Sequence, residues 1–343
     1  MKRYHIPILS VLLVVMLFSR CKPELDFTAE YKDITVAYGI LNPKDSAHYI
    51  KIYKGFLTDG NAIVAAGKLE NISYYKEITV TLEESINQSI TRIIPLDTTT
   101  AIPKRPGIFA NPTQVLYYTK APLRQDATYQ LVIVNNKTGK KVTATTNIVN
   151  DFTFDTPFNY IDYMDMESKG TRIKFNGAKN AVAYDAYFYF YYYEVDKNTG
   201  GVIKHDTIST KINSSLVRST GKIVEIEFIP KSFYRLVAGK LSPNSKVIRY
   251  IDTQFCMQIV IWGAAEDFVT YVDVSSPSSS IVQDRIEYTN MVSKDHSAYG
   301  LLSSRNYLVK KLRFSPLSHN EDSLISGSIT GDLGFQKYQN IGQ

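Results

Sequence analysis

Four histidines follow residue 20, and their positions bear on metal chemistry. They are His48, His205, His296 and His319. Zinc sites draw His and Cys ligands from short, regular spacings, such as two histidines one helical turn apart. No two of these histidines come that close along the chain. We therefore expect no metal site and no metal-dependent catalysis, and no motif indicates a cofactor.

Glu225 and Glu227 are a candidate pair of carboxylates for general acid and base catalysis. Glycoside hydrolases use two such groups. Here residues 223–228 alternate apolar and charged side chains, which predicts a strand with a hydrated charged face. The chain also lacks a nucleophile elbow, a phosphate-binding loop and a dinucleotide fingerprint. We expect a protein that is not an enzyme. A glycosidase or protease remains an alternative that requires a cleft with converging carboxylates.

An acidic cluster near the middle of the chain offers oxygen ligands of the kind that Ca²⁺ takes. Its members are Asp155, Asp162, Asp165 and Glu167. Their spacing matches no calcium-binding loop, and aromatic residues interrupt the cluster. The pattern therefore favours a solvated linker over a calcium site.

A run of aromatic side chains occupies residues 184–193, within a longer predicted strand. Aromatic residues stand at both odd and even positions, so both faces of the strand are apolar. The pattern favours a strand buried between two layers. A platform for a ligand or partner is the alternative, and it would be formed by Tyr187, Tyr189, Tyr191 and Tyr193.

The first twenty residues have the pattern of a secretory signal peptide. Lys2 and Arg3 precede an apolar run over residues 6–18. A helix of that length rises about 20 Å, which is short of the roughly 30 Å hydrocarbon core of a membrane. The run ends just before Cys21 and resembles a bacterial lipobox, in which the cysteine is acylated, as by palmitate. We expect a lipoprotein anchored through Cys21, and an ordinary signal with an incidental cysteine is the alternative.

Cysteine content and charge narrow the class further. The chain contains only Cys21 and Cys256, so a lipidated Cys21 leaves no disulfide partner for Cys256. Apolar neighbours predict that Cys256 lies in a buried strand. The formal charge of +6 falls by three when Lys2, Arg3 and Arg20 leave with the signal peptide. No basic run remains, and we expect no binding to nucleic acid.

The mature chain is predicted to be mainly β, with two β-sandwich domains. Residues 21–31 form a linker, and short alternating strands over residues 32–150 indicate an immunoglobulin-like sandwich. A hairpin is expected at residues 135–141, where Gly139 can adopt positive φ. Residues 151–305 are predicted to form a second, fibronectin-like domain. It carries short helices that begin near Pro230 and Ala264. A proline-rich loop is expected around residues 99–112.

The segment over residues 286–305 resembles a large family of uncharacterised Bacteroidota envelope lipoproteins. The resemblance rests on Tyr-Thr-Asn-Met at residues 288–291 and on Gly-Leu-Leu-Ser-Ser-Arg at residues 300–305. Met291 and Leu302 replace the usual Ile and Phe. Members are often encoded beside TonB-dependent receptors, which implies a two-domain β lipoprotein without recorded enzyme activity. We expect Gly300 to lie in a turn, with Leu301 and Leu302 closing the edge of a sandwich.

These features predict a lipid-anchored protein of the outer membrane, exposed at the cell surface. The acidic linker is similar to the surface-export signal of Bacteroidota lipoproteins, although it can also be a simple spacer. The expected partner is an integral outer-membrane β-barrel, such as a TonB-dependent receptor or an assembly machine, which the protein would serve as an accessory subunit. Binding of a glycan or peptide through an aromatic surface is the alternative.

Residues 306–343 are predicted to be a C-terminal extension. It carries more apolar groups than a free tail exposes, so it must pack on its own domain or on another protein. Residues 307–314 are predicted to form a strand that completes the second sheet.

We expect Cys21→Ser to release the protein from the membrane fraction, because the acyl anchor is the only membrane attachment that the sequence encodes. Fractionation of cells followed by immunoblotting measures the release. Retention of the variant in membranes washed with high salt would contradict anchoring through Cys21.

Overall fold

The structure of the chain is a computed structural model that describes residues 33–56, 58, 60–157, 160–161, 170–251, 255–275, 288–314 and 320–337. The predicted signal peptide, Cys21 and the linker lie outside these residues. So do Asp162, Asp165, Glu167 and His319. No helix in the described ranges has the length and apolar character needed to cross a membrane.

The described chain is mainly β, as predicted. The strands of its first half are β1 (Thr35–Leu41), β2 (His48–Lys54), β3 (Ile78–Ile86), β4 (Ser89–Pro95), β5 (Asp97–Thr99), β6 (Leu116–Thr119), β7 (Thr128–Asn135) and β8 (Lys141–Asn147). Those of the second half are β9 (Phe154–Thr156), β10 (Tyr160–Ile161), β11 (Thr171–Asn176), β12 (Ala183–Asp196), β13 (Val202–Lys211), β14 (Val217–Arg218), β15 (Ile223–Phe228), β16 (Val247–Ile251), β17 (Met257–Ala264), β18 (Val292–Ser293) and β19 (Ala298–Phe314).

Short helices connect these strands. They are α1 (Ala62–Ala66), α2 (Leu69–Ile72), α3 (Pro230–Lys240), α4 (Glu266–Ser275) and α5 (Asn320–Ser326), followed by a 3-10 turn at Gly331–Leu333. Helix α3 starts with the predicted proline at its first position. Helix α4 starts two residues later than expected, because Ala264 ends β17 instead.

One long sheet runs through both halves of the chain. Its strand order is β13-β12-β17-β19-β1-β2-β6-β5, and β10, β14 and β16 pair beside this path. β19 is its central strand: it pairs with β1 in parallel and with β17 antiparallel. The sheet therefore joins the start of the described chain to its end.

Two smaller sheets cover two hydrophobic cores on one face of the long sheet. The five-stranded sheet β18-β8-β7-β3-β4 and the long sheet enclose the first core, and the three-stranded sheet β15-β11-β9 and helix α3 enclose much of the second. Even-numbered residues of β19 serve both cores. Leu302 packs in the first core, whereas Leu312 and Phe314 pack in the second. Both small sheets therefore lie on the same side of the long sheet, which we call its inner face.

Buried polar groups tie the segment between the two cores to the middle of β19. Ser304 Oγ accepts a hydrogen bond from Val149 N at 3.0 Å, and Asn306 Nδ2 donates to Val149 O at 3.1 Å. Asn306 Nδ2 also donates to Asp151 Oδ1 at 3.0 Å. Ser304 and Asn306 are fully buried. Breaking these bonds would leave buried polar groups unsatisfied, so they hold the crossing segment in place.

The C-terminal segment packs within the chain. Residues 307–314 pair with β17 as predicted, and the predicted boundary at residue 306 falls inside β19. Beyond this strand, Leu324, Leu333 and Phe335 are buried in the second core. Buried Arg249 donates from Nε to Glu194 at 2.9 Å and from Nη1 to the carbonyl of Leu333. Arg249 thus anchors the tail to β16, and its ion pair with Glu194 links β16 to β12.

Two expectations for single residues need correction. Gly300 does not lie in a turn: it is within β19, with φ of +117°, because the strand passes very close to Ala37 of β1. Cys256 is buried in the second core as predicted, but it directly precedes β17 instead of lying within the strand. The predicted hairpin is confirmed, with Gly139 at a φ of +72°.

We expect Gly300→Ala to destabilise the protein strongly. A Cβ atom at this position would lie 1.9 Å from the carbonyl oxygen of Ala37. The positive φ alone costs an L-residue about 1–3 kcal/mol. Denaturant unfolding measures the loss, and Gly107→Ala is the control because a Cβ there meets nothing within 4 Å. Equal unfolding midpoints for Gly300→Ala and the wild type would contradict the close approach of β1 and β19.

We expect the stability of the protein to fall as the pH drops below about 6.5, in part because of His48. The ring is 2% exposed, and its desolvation lowers its pKa from the ordinary value of 6.5, against the raising effect of Asp45. Between the folded and unfolded pKa values the unfolded chain binds more protons, so the free energy of unfolding rises with pH.

His48→Gln should flatten this dependence, measured as the free energy of unfolding from pH 5 to 7. An unaltered pH slope in His48→Gln would show that the His48 ring contributes nothing to it.

Candidate binding face

The aromatic run in β12 divides cleanly between the two faces of the long sheet. Phe188, Phe190 and Tyr192 point inward and are buried in the second core. Tyr187, Tyr189, Tyr191 and Tyr193 alternate with them on the opposite, outer face, where each is half-buried. The core interpretation is therefore confirmed for the inward residues, and the four tyrosines of the alternative share the outer face. The four outer tyrosines recur every second residue, about 7 Å apart, and span roughly 20 Å.

Polar side chains of β13 border the tyrosine row on one side. The pairing register sets His205 opposite Tyr193, Thr207 opposite Tyr191, Ser209 opposite Tyr189 and Lys211 opposite Tyr187. Directly paired residues of antiparallel strands share a face of the sheet, so these groups flank the rings. On the other side, β17 sets Gln258 beside Tyr189 and Val260 beside Tyr187. The row thus lies among hydroxyl, amide and ammonium groups that can form hydrogen bonds.

Ring contacts extend the row at its Tyr193 end. The ring of Tyr193 stacks on Tyr250 with centroids 5.5 Å apart, and it lies 5.6 Å from His205. Tyr191 meets Phe255 edge to face at 5.6 Å. Lys311 Nζ lies 4.2 Å from the Phe255 centroid, within the range of a cation–π contact. The rings that contact Tyr191 and Tyr193 therefore come from β13, from β16 and from the residue that lies two positions before β17.

A second aromatic group continues the outer face beyond Tyr187. Trp262 of β17 packs against Tyr307 of β19 with centroids 4.8 Å apart. The Arg305 guanidinium lies between two rings, 5.1 Å from Trp262 and 4.7 Å from Phe268 of α4. Helix α4 is held on this face by a hydrogen bond from Phe268 N to Ser303 Oγ at 3.1 Å. The helix thus marks one limit of the tyrosine-lined area.

A buried carboxylate fixes the geometry where the two aromatic groups meet. Asp185 is 5% exposed, and it forms ion pairs with Lys211 at 2.7 Å and Arg305 at 3.3 Å. Burial lowers the pKa of Arg305, and Asp185 opposes that shift. Two cations around one buried carboxylate leave little freedom for either side chain. The cluster therefore holds Lys211 and Arg305 beside Tyr187 and Trp262.

The side chains of the outer face can form apolar contacts and hydrogen bonds with a bound molecule. Burial raises the pKa of Tyr191, so its hydroxyl is neutral near physiological pH and can donate a hydrogen bond. Tyrosine presents a broad apolar ring together with this polar tip, a combination common at interfaces. We define the tyrosine face as Tyr187, Tyr189, Tyr191 and Tyr193 with the bordering residues of β13 and β17.

The other residues considered in the sequence lie apart from this face. Glu225 and Glu227 are exposed on β15, on the polar side of an alternating strand as predicted, and Glu225 pairs with Lys174 at 2.9 Å. Asp155 lies within β9 and is exposed. His48 lies in the first half of the chain and His205 borders the tyrosine face. Across the described ranges, no three His, Cys, Asp or Glu side chains are placed to share a metal ion.

Sequence reasoning identified the tyrosine row but missed its surroundings. Trp262, Tyr307 and Tyr250 lie on β17, β19 and β16, which are distant from β12 in the sequence. The register that sets them beside β12 could not be known from composition.

Comparisons with known proteins assign no family to this chain. No family model matches the chain, and no curated protein matches it. The C-terminal globular domain of an oligosaccharyltransferase from Pyrococcus abyssi is a similar solved structure, with 10% identity and a TM-score of 0.25 over 82% of this chain. The chain spans half the length of that structure. At this level the similarity supports no argument about function.

Proposed function

We propose that this protein is a non-enzymatic lipoprotein of the outer membrane that acts as an accessory subunit of an integral β-barrel protein, in transport or assembly. The observation that carries the proposal is the row of four half-buried tyrosines on the outer face of the long sheet. Aromatic residues and arginine contribute strongly to the centres of protein interfaces, because they bury large areas at a low entropic cost. The tyrosine face is the docking surface in this proposal.

The two hydrophobic cores support a finer description of the fold. In our proposal the first core, which residues 32–150 form together with Met291, Ala298 and Leu302, belongs to an immunoglobulin-like sandwich. The second core, which residues 151–305 form together with the C-terminal segment, belongs to a fibronectin-like sandwich with short helices. The five-stranded and three-stranded sheets would be the second layers of these sandwiches. The long sheet would then supply the first layer of both.

The proposed anchor and location rest on the sequence alone. A signal peptide that ends just before Cys21 would deliver the protein to the envelope, and acylation of Cys21 would hold it at the outer membrane, at the cell surface. An anchored protein meets membrane proteins at high effective concentration, so a modest contact area suffices for association. This arrangement fits a β-barrel such as a TonB-dependent receptor as the partner.

Glycan binding through the same face is the second candidate function. Thr207, Ser209 and Gln258 alternate around the tyrosine rings and can bond to sugar hydroxyls. Stacking of a sugar ring on an aromatic face, combined with such polar groups, is a way to bind an uncharged oligosaccharide. A peptide laid along the row would use the same rings.

The proposal predicts that Tyr189→Ser with Tyr191→Ser will abolish recovery of the barrel partner. Interface tyrosines at a centre each contribute more than about 1 kcal/mol, so the double change should weaken association at least about tenfold. The test is affinity isolation of the full lipidated chain in detergent at native expression levels, followed by mass spectrometry. Tyr75→Ser is the matched control, since Tyr75 is 52% exposed and lies outside the face.

Circular dichroism of both variants verifies that they are folded. Isolation of the wild-type chain as a lone monomer would refute the accessory-subunit proposal. In that event, titration calorimetry with neutral oligosaccharides tests the second candidate, which requires saturable binding that the double variant loses.

A further inference from the structure

A second feature of the outer face lies in the first half of the chain, on β2. Ile50 and Ile52 of this strand point into the first core, so Tyr49, Lys51 and Tyr53 point outward. Lys51 is directly opposite Tyr38 on β1 and Leu116 on β6. This position is separated from the tyrosine face by β19 and β1.

The predicted proline-rich loop corresponds to residues 100–115, between β5 and β6, and it folds back onto this part of the sheet. Leu116 belongs to the outer face, yet it is only 8% exposed. The loop is tied to helix α1 by a hydrogen bond from Ala110 N to Ala66 O at 3.0 Å, and it is closed by one from Lys104 N to Pro112 O at 2.7 Å. The loop therefore lies against this part of the sheet, and its Phe109 ring, which contacts Tyr53, is 48% exposed.

Two lysines and two aromatic rings line this site. Lys51 Nζ lies 4.6 Å from the Tyr53 centroid and donates to Val115 O at 3.2 Å. Lys104 Nζ lies 5.1 Å from the Phe109 centroid, and the rings of Tyr53 and Phe109 are 6.0 Å apart. In the part of the chain that the structure describes, neither ammonium forms an ion pair with a carboxylate. We call these four residues the lysine site.

The lysine site carries two like charges. Burial, together with the positive charge of Lys104, lowers the pKa of Lys51 to about 8. Burial also raises the pKa of Tyr53, so this neighbour supplies no negative charge. Two cations brought together on a partly desolvated surface repel each other, and a bound anion would remove that cost.

The geometry points to an oxyanion-binding site at Lys51 and Lys104, roofed by the proline-rich loop, that takes a ligand carrying a phosphate or carboxylate group. The two ammonium groups supply charge-assisted hydrogen bonds to the anion. The Tyr53 and Phe109 rings supply an apolar wall for the part of the ligand next to that group. The site is independent of the proposed partner, because it shares no residue with the tyrosine face.

Titration calorimetry of the full-length chain in detergent with inorganic phosphate, and separately with acetate, tests the site. We expect saturable binding of one or both anions, which distinguishes a phosphate ligand from a carboxylate ligand. Lys51→Met and Lys104→Met should each weaken binding at least about tenfold, because each removes a charged donor. Lys51→Arg keeps the charge and should retain binding. Lys120→Met is the control, because this substitution also removes one charge but affects an exposed loop lysine.

A second measurement does not depend on the folding of variants. A ligand that binds the charged ammonium must raise the pKa of Lys51 above its value of about 8 in the ligand-free protein. NMR of ε-¹³C-labelled lysine, assigned with Lys51→Arg, follows that titration with and without the anion. The proposal is overturned if neither anion binds saturably, or if binding is equal in wild type, Lys51→Met and Lys104→Met.

Discussion

The parallel pairing of β1 with β19 is the interaction on which the rest of the structure depends. It brings residues 35–41 beside residues 298–304, which are more than 250 positions later in the sequence. Gly300 permits this contact, because any Cβ there would collide with the backbone of Ala37. Since β19 then continues into its pairing with β17, the strand carries both halves of the long sheet. Without this pairing the two cores would have no common layer.

A set of buried polar contacts holds the two halves in one arrangement. Ser304 and Asn306 bind the segment that leaves the first core at Val149. Arg249, which is paired with Glu194, holds the tail against the second core through the carbonyl of Leu333. Hydrogen bonds and ion pairs of this kind add little net stability, but leaving one partner unpaired is costly. They therefore favour one geometry over alternatives with similar apolar burial. A continuous outer face is the result.

This outer face carries two chemically different areas. The tyrosine face in the second half is aromatic and bordered by hydroxyl and amide groups, whereas the lysine site in the first half is cationic and roofed by a loop. Helix α4 lies on the face beside β19, where Tyr271 meets Tyr38 of β1. Both areas lie on the same long sheet, the tyrosine face on β12 and the lysine site on β2.

Local side-chain patterns were sufficient to predict the mainly β character, the alternating strands, the hairpin at Gly139 and the start of the helix at Pro230. Each of these depends on residues within a few positions of one another. The pattern in β12 also showed that both of its faces are aromatic, but not that Phe188 and Phe190 would face the core while Tyr189 and Tyr191 face outward.

Only the tertiary structure decided that point, along with the role of Gly300 and the approach of Lys104 to Lys51. These features depend on strand pairings and loop contacts between distant segments. Their free energy comes from burying whole sheets against each other, which no local sequence pattern encodes.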